Sequence, residues 1–478
     1  MIIGRDNEIA TLRGLLQSDE SQFVAVYGRR RVGKTFLIRE AYDYSFTFEH
    51  TGTYGASRRE QLNDFRESLY HAGMEKKPMP KTWAEAFRLL QDLLESKPEG
   101  KKVIFIDELP WMDTAKSNFV RSLDHFWNAW ATTRKDIILV ICGSATSWII
   151  DNVIMNYGGL HNRLTCQIHL QPFCLRECKQ YCEKRNLGYK DRQILEAYMA
   201  LGGIPYYWSF MKKGQSVAQN FDRMFFHDGG ELAHEFDALY ASLFKKPRRH
   251  IAIITALAAK KRGLLREEIL KVSKLSDNSD FSKALQELEQ CGFIRKFTPI
   301  DKKTKESTYQ LIDNYTLFYF DFIKENRNGD EHFWTSQYNT SIHTGWAGRA
   351  FERVCMQHIR QIKSELGFAA SISSVHSWIY KAPKDPSTGK TIYKGAQIDL
   401  LIDREDDTIN LCEMKYTRAP YVISDSEYQN IQYRREAFIR ETKTEKSVLV
   451  TMITSFGLAP GGNSDDIHCQ LTMADLFK

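Results

Sequence analysis

A buried strand that runs into a glycine-rich turn and then a helix leaves a chain few folds to adopt. Residues 23–35 have that pattern: FVAVY followed by GRRRVGKT. Gly28 and Gly33 let the backbone curl tightly, and the N–H groups of the turn together with the start of the next helix attract anions. Lys34 adds a point charge that reaches β and γ phosphates, and the Thr35 hydroxyl suits Mg2+. The run Gly28, Arg29, Arg30, Arg31, Val32, Gly33, Lys34 and Thr35 is therefore expected to cradle a nucleoside triphosphate, with ATP and Mg2+ as the ligands.

About seventy positions on, Val103-Ile104-Phe105-Ile106 reads as a strand buried on both faces and ends in Asp107-Glu108. Asp107 is placed to hold Mg2+ through its water shell, and Glu108 to orient or deprotonate an attacking water. A third apolar run, Ile137 to Ile141, ends in Cys142-Gly143-Ser144. If these strands are neighbours, the Ser144 hydroxyl comes beside the γ-phosphate as a sensor.

This order of motifs resembles the AAA+ branch of P-loop ATPases, and more narrowly the archaeal-type ATPases near the STAND and origin-recognition families. Ile3-Gly4-Arg5 with Glu8 and Leu12 resembles the box that lies near the adenine in that group, which implies Gly4 and Arg5 as nucleotide contacts. Gly158 to Arg163 followed by Leu170-Gln171-Pro172-Phe173 resembles the segment carrying the family's arginine, so Arg163 is the candidate γ-phosphate arginine, in cis or from a neighbouring subunit of a homo-oligomer. Gly202-Gly203-Ile204-Pro205 resembles the lid motif that closes over the nucleotide, with Pro205 as a contact.

At 478 residues the chain exceeds a single core, and 42% hydrophobic with 26% charged residues is ordinary for globular proteins. No uninterrupted apolar stretch is long enough to span a bilayer, and Arg5, Asp6, Glu8 and Arg13 break up any signal-peptide core, so a cytoplasmic protein without membrane partners is expected. Nine cysteines fit reduced thiols. Cys174, Cys178 and Cys182, four apart, share one helix face and read as small apolar packing rather than a metal site. The net charge of +6 permits nucleic-acid binding without requiring it.

From Gln171 to Phe244 the chain is helical and aromatic, as a lid would be. Arg248 to Phe322 then shows periodic helices at Ile251–Ala259, Leu265–Val272 and Phe281–Cys291, strands at Phe293–Phe297 and Tyr309–Ile312, and a basic turn of Asp301, Lys302, Lys303, Thr304 and Lys305. Three helices and a β-wing make a winged helix. Its third helix carries Asp277, Asp280, Glu287 and Glu289 against Lys283 alone, which phosphate would repel, so groove reading by that helix is not expected. Wing lysines, or the run Lys245, Lys246, Arg248 and Arg249, remain able to touch a backbone, and a solvated charge run is the alternative.

The last 130 or so residues carry a second pattern. Tyr393–Asp403 and Thr408–Tyr416 read as a hairpin, with Glu413 and Lys415 on one strand face and Asp399 projecting from its neighbour. An Asp followed by Glu-x-Lys on paired strands resembles the PD-(D/E)XK nuclease core. The resemblance implies Asp399 and Glu413 on Mg2+, with Lys415 positioning water. On the helix expected from Gly345 to Leu366, Glu352 is an acid on a mostly apolar row and matches the Glu that this family's first helix often supplies. A helix over Tyr428–Glu441, bringing Gln429 or Gln432 to the site, and a strand over Val448–Ile453 complete the pattern. The family's proline is replaced by Gln397-Ile398.

The sequence is thus read as a multidomain α/β chain. A parallel-sheet P-loop ATPase core (1–170) is followed by a helical lid (171–245), a winged helix (246–340) and a restriction-endonuclease-like domain (341–478). The expected activity is an ATPase whose nucleotide state gates Mg2+-dependent cleavage of DNA. The alternative is a nucleotide-dependent switch or scaffold that binds nucleic acid or protein without cutting.

Overall fold

The structure, a computed structural model, describes residues 2–155, 158–160, 162–244, 246–260, 263–297, 300, 307–326, 328–380, 382 and 394–478. Its first sheet comprises β1 (Gln22–Tyr27), β2 (Phe48–Thr51), β3 (Lys102–Asp107), β4 (Ile137–Gly143) and β5 (Cys166–His169). All pairings are parallel, in the order β2-β3-β4-β1-β5. The near-continuous apolar runs have their cause in burial on both faces. Phe23, Ala25, Ile104 and Leu139 turn toward Phe65, Trp83, Phe87 and Phe126 of the helices on one side. Val24, Val26, Phe105 and Val140 turn toward Leu37, Ile38 and the helices of residues 175–243 on the other. Because β4 lies between β3 and β1, the ends of all three strands meet at one sheet edge, as the sensor reading of Ser144 requires.

The segment expected as a lid consists of helices Leu175–Lys184, Asp191–Leu201, Pro205–Trp208, Val217–Phe221 and Glu235–Leu243, and is called the lid segment for its place in the chain. Cys178 and Cys182 are buried on the first of these, and burial pushes both thiols up, consistent with apolar packing. All nine cysteines are free.

The next unit has helices Pro247–Ala258, Arg266–Ser273 and Ser279–Gln290, with β6 (Leu264–Leu265), β7 (Ile294–Phe297) and β8 (Thr308–Leu311) in an antiparallel sheet of order β6-β8-β7. The basic turn at 301–305 lies outside the described residues, as does Lys245. The acids of the third helix are partly partnered inside the unit: Asp280 pairs with Arg249 at 2.9 Å and Glu287 with His250 at 2.7 Å. Arg249 of the basic run is thereby engaged. After β8 the chain returns to the lid, where Asp222 accepts from the N–H of Trp334 at 2.8 Å and Asn314 donates to the Tyr198 carbonyl at 3.1 Å.

The C-terminal sheet comprises β9 (Ser373–Tyr380), β10 (Ala396–Arg404), β11 (Thr408–Lys415), β12 (Ser447–Thr454) and β13 (Cys469–Thr472), in the order β13-β12-β11-β10-β9. The β9-β10-β11 pairings are antiparallel, and β11, β12 and β13 run parallel. Helix Asp425–Thr442 makes the crossover from β11 to β12. The single helix expected at 345–366 is instead two, Ser341–Gln357 and Ile359–Glu365, with His358 between them at φ −112°. The His358 ring fixes the break: Nδ1 meets the Val354 carbonyl at 2.8 Å while Nε2 accepts from the Leu175 N–H at 3.0 Å. Tyr393 lies outside the described residues, and the hairpin's first strand begins at Ala396. One continuous apolar core runs from the first sheet through the lid and the three-helix unit to helix Ser341–Gln357 and β11.

Candidate functional site

At the carboxyl edge of the first sheet, Gly33 takes φ +91° and starts helix Lys34–Ala41, while Gly28 takes φ +138°. A side chain at Gly28 would put its Cβ 2.4 Å from the Leu170 carbonyl oxygen, so the tight exit from β1 requires glycine. Lys34 is buried, and its Nζ donates to the carbonyls of Gly28 and Arg29, both at 2.9 Å, which centres the ammonium inside its own loop. Thr35 Oγ1 donates to Asp107 Oδ2 at 2.7 Å. These two hard oxygen donors fit a hydrated Mg2+ by chemistry and by placement. Glu108 stands at φ +47°, and its Oε2 accepts from the Ser144 N–H at 3.2 Å and hydroxyl at 2.9 Å. The residues expected to hold phosphate and Mg2+ and the serine expected as a sensor thus meet at one point.

Three expectations change here. The side chains of Arg29 and Arg31 are held away from the cradle. Arg29 pairs with Asp313 and lies over the Phe293 ring at 4.6 Å. Arg31 pairs with Glu235 and lies over Tyr206 at 4.3 Å. Burial pulls the Arg29 guanidinium down, and the Asp313 carboxylate more than reverses it. Second, the Gly4-Arg5 box forms a joint with the lid. Arg5 Nη2 donates to the Gln171 carbonyl at 2.7 Å, Nη1 faces Glu177 at 3.5 Å, and the guanidinium lies over Phe173 at 4.9 Å. The lid motif abuts the same ring's backbone: the Phe173 N–H donates to the Gly203 carbonyl at 2.7 Å, and Pro205 opens helix Pro205–Trp208. Third, Arg163 is exposed and lies at the opposite end of the sheet. It precedes Thr165, whose N–H donates to the Phe23 carbonyl at 2.9 Å, whereas the loop begins five residues further along β1. At about 3.3 Å per residue, that interval exceeds a guanidinium's reach, so the in-cis role does not hold.

The second cluster gathers on β10 and β11. The register runs from Asp403↔Ile409 to Leu400↔Cys412, one residue short of Asp399 and Glu413, and these two carboxylates act on each other electrostatically. Glu352, from helix Ser341–Gln357, joins them: burial, then the Asp399 carboxylate, pushes its carboxyl up to about 7, and Lys415 and Glu413 act on the same group. Glu413 is buried and paired with Arg434, Lys415 Nζ lies 2.6 Å from Glu427, and Asp399 Oδ1 accepts from Gln397 Nε2 at 2.6 Å. The four predicted residues therefore share one site.

The crossover helix reaches the site through Glu427 and Arg434 rather than Gln429 or Gln432, because residues seven apart lie on the same helix face and Gln429 points outward. That spacing was readable in the sequence. Asp399 and Glu413 have the oxygen chemistry of a Mg2+ site, yet among the described residues no group of three or more His, Cys, Asp or Glu is arranged to hold a metal. The same holds at the first site, where Thr35 and Asp107 supply one hydroxyl and one carboxylate.

Residues 2–209 match a known family, an ATPase domain predominantly from Archaea. An uncharacterized protein of Methanocaldococcus jannaschii is 26% identical over 423 residues, covering 85% of each chain. Among solved structures, a Walker-type ATPase of Pyrococcus abyssi is similar at 19% identity and a TM-score of 0.47, over 66% of this chain and 95% of that one. The ORC2 protein of Aeropyrum pernix is similar at 13% identity and a TM-score of 0.39, over 65% of this chain and 90% of that one. No helix among the described residues is long and apolar enough to cross a membrane.

Proposed function

We propose, starting from an archaeal-type ATPase domain over residues 2–209, that the protein hydrolyses ATP and uses its nucleotide state to gate a Mg2+-dependent nuclease site in the C-terminal sheet. In the first site, Lys34 would exchange its loop carbonyls for phosphate oxygens, Thr35 and Asp107 would hold Mg2+, and Glu108, oriented by Ser144, would take the proton from water. The helix–strand order of residues 247–311 supports a winged helix, and the mixed sheet crossed by helix Asp425–Thr442 supports a PD-(D/E)XK core. In that core, Asp399 and Glu413 would hold the divalent ion, which polarises a phosphodiester, and Lys415 would position the water.

One observation carries the coupling. Thr308, Gln310 and Leu311 of β8 line a cavity shared with Glu352 and Asp399, and Asp313, two residues on, clasps Arg29 of the phosphate loop. A movement of the loop is thus passed to the wall of the second site. The test is to incubate linear, nicked, supercoiled and single-stranded DNA with the protein in Mg2+ or Mn2+, with and without ATP. Cleavage should disappear in Lys415→Ala and lose its ATP response in Lys34→Ala. Equal ATP response in Lys34→Ala would refute the coupling.

The engagement of Glu413 by Arg434 and of Lys415 by Glu427 favours a second reading, a nucleotide switch that binds without cutting. ATP hydrolysis with no cleavage under any condition would select it. Exposed Arg163 fits an arginine supplied to a neighbouring copy, and an ATPase rate that rises with protein concentration and falls in Arg163→Ala would support such an assembly.

A further inference from the structure

Between β8 and the C-terminal sheet lies a cavity of about 530 Å³, the size of a pocket for one small ligand rather than for a duplex. The three-helix unit and β8 form one wall, and helices Ser341–Gln357 and Asp425–Thr442 with β10 form the other. Its lining joins the carboxylates Glu352 and Asp399 to the guanidinium groups of Arg349 and Arg353. These two arginines, four apart on one helix, present a paired cationic face.

Their nitrogens are under-used. Arg353 Nη1 donates to the Arg349 carbonyl at 3.1 Å, but Arg353 Nε and Nη2 and Arg349 Nε are buried with no hydrogen-bond partner among the described residues. Burial drags the Arg353 guanidinium down to about 10, with Asp321 the leading acid that counters it. A buried guanidinium lacking acceptors is costly, and a planar fork of donors is matched by phosphate oxygens. Exposed Lys260 and Lys394 stand at the border of the cavity, one from each wall, and Tyr433 adds an aromatic ring to its lining.

We propose that this cavity binds the terminal phosphate and last nucleotide of an unpaired nucleic-acid strand, with Arg349 and Arg353 holding the phosphate and Tyr433 flanking the base. The proposal rests on the nuclease reading of the neighbouring carboxylates and narrows it from DNA in general to strand ends. The volume suits one nucleotide inside the cavity, and the border lysines give the rest of the strand a path outward.

The test is fluorescence anisotropy on the full-length protein, in Ca2+ and in EDTA. The probes are short internally labelled strands of DNA and of RNA carrying a 5′-phosphate, a 3′-phosphate or hydroxyl ends, beside a covalently closed DNA dumbbell. Strands with a terminal phosphate should bind about tenfold or more tightly than hydroxyl-ended strands and the dumbbell, since one charge-assisted contact is worth that much. The preference should vanish in Arg353→Gln and shrink in Arg349→Gln, and the DNA and RNA arms identify the sugar accepted.

Equal binding of the dumbbell, or a preference unchanged in both variants, overturns the proposal. If Arg353→Gln does not fold, Arg349→Gln alone decides. Cleavage in Mg2+ without any preference for ends would remove the pocket and leave the nuclease. A preference for ends without cleavage would remove the nuclease and leave the pocket.

Discussion

At the scale of single residues, Glu108 and Gly203 illustrate two kinds of constraint. Glu108 is held in a left-handed backbone and accepts a hydrogen bond from the Ser144 hydroxyl, and under the proposed mechanism its part is proton transfer rather than binding. Glu108→Gln should therefore leave ATP affinity nearly unchanged and slow hydrolysis by about 10²- to 10⁴-fold, as read from nucleotide titration beside phosphate release. Gly203 is a matter of space alone: a Cβ there would sit 1.8 Å from the Phe173 carbonyl oxygen, which is backbone and cannot swing aside. Gly203→Ala should lose upwards of about 3 kcal/mol in urea unfolding, even though the residue touches no chemistry. The glycine pair is plain in the sequence. What forbids a methyl group there is the loop backbone at Phe173, thirty positions away, which no local pattern reveals.

At the scale of elements, the contacts between units set the energetics. Arg29 and Asp313 are both buried, so removing one strands a charge. Arg29→Met should cost about 3–5 kcal/mol, and Arg29→Met with Asp313→Leu should recover most of it, a non-additivity that a double-mutant cycle in urea would measure.

Two buried histidines predict a pH response. Burial holds His50 and His358 down to about 4, below the value near 6.5 that they take when unfolded. The unfolded chain binds more protons between those values, so their contribution is complete above about 6.5 and is lost as pH falls toward about 4. Each contributes about 3 kcal/mol at most. Urea midpoints at pH 7 and pH 5 should show the loss, and His358→Gln should reduce it. His358 also corrects the element boundary: apolar periodicity carries one helix through it, and the ring's two backbone partners end the helix there.

At the scale of the whole molecule, the units share one core, and β8 stands between the two candidate sites. If nucleotide at the loop moves Asp313, then amide exchange across residues 308–311 should quicken when ATP is added to the wild type and stay constant in Lys34→Ala, as mass spectrometry would resolve.

The sequence alone determined what depends on local chemistry. The glycine spacing defined the loop, the continuous apolar runs defined the buried strands, and the alternation around Glu413 and Lys415 defined a hairpin face, because each is written within a few neighbouring residues. Even the arrival of Ser144 at the edge where β1 and β3 end followed once the strands were taken as adjacent, whereas its hydrogen bonds to Glu108 came from the tertiary structure. The tertiary structure decided the rest. It turned Arg29 and Arg31 away from the loop onto buried Asp313 and Glu235, made Arg5 a joint with the helices that follow the first sheet, carried Arg163 to the far end of the sheet, and set Glu427 and Arg434 on Lys415 and Glu413. Each of these depends on an ion pair, a contact or a distance between residues remote in the chain, and a pairing energy between distant residues leaves no periodic trace in either segment.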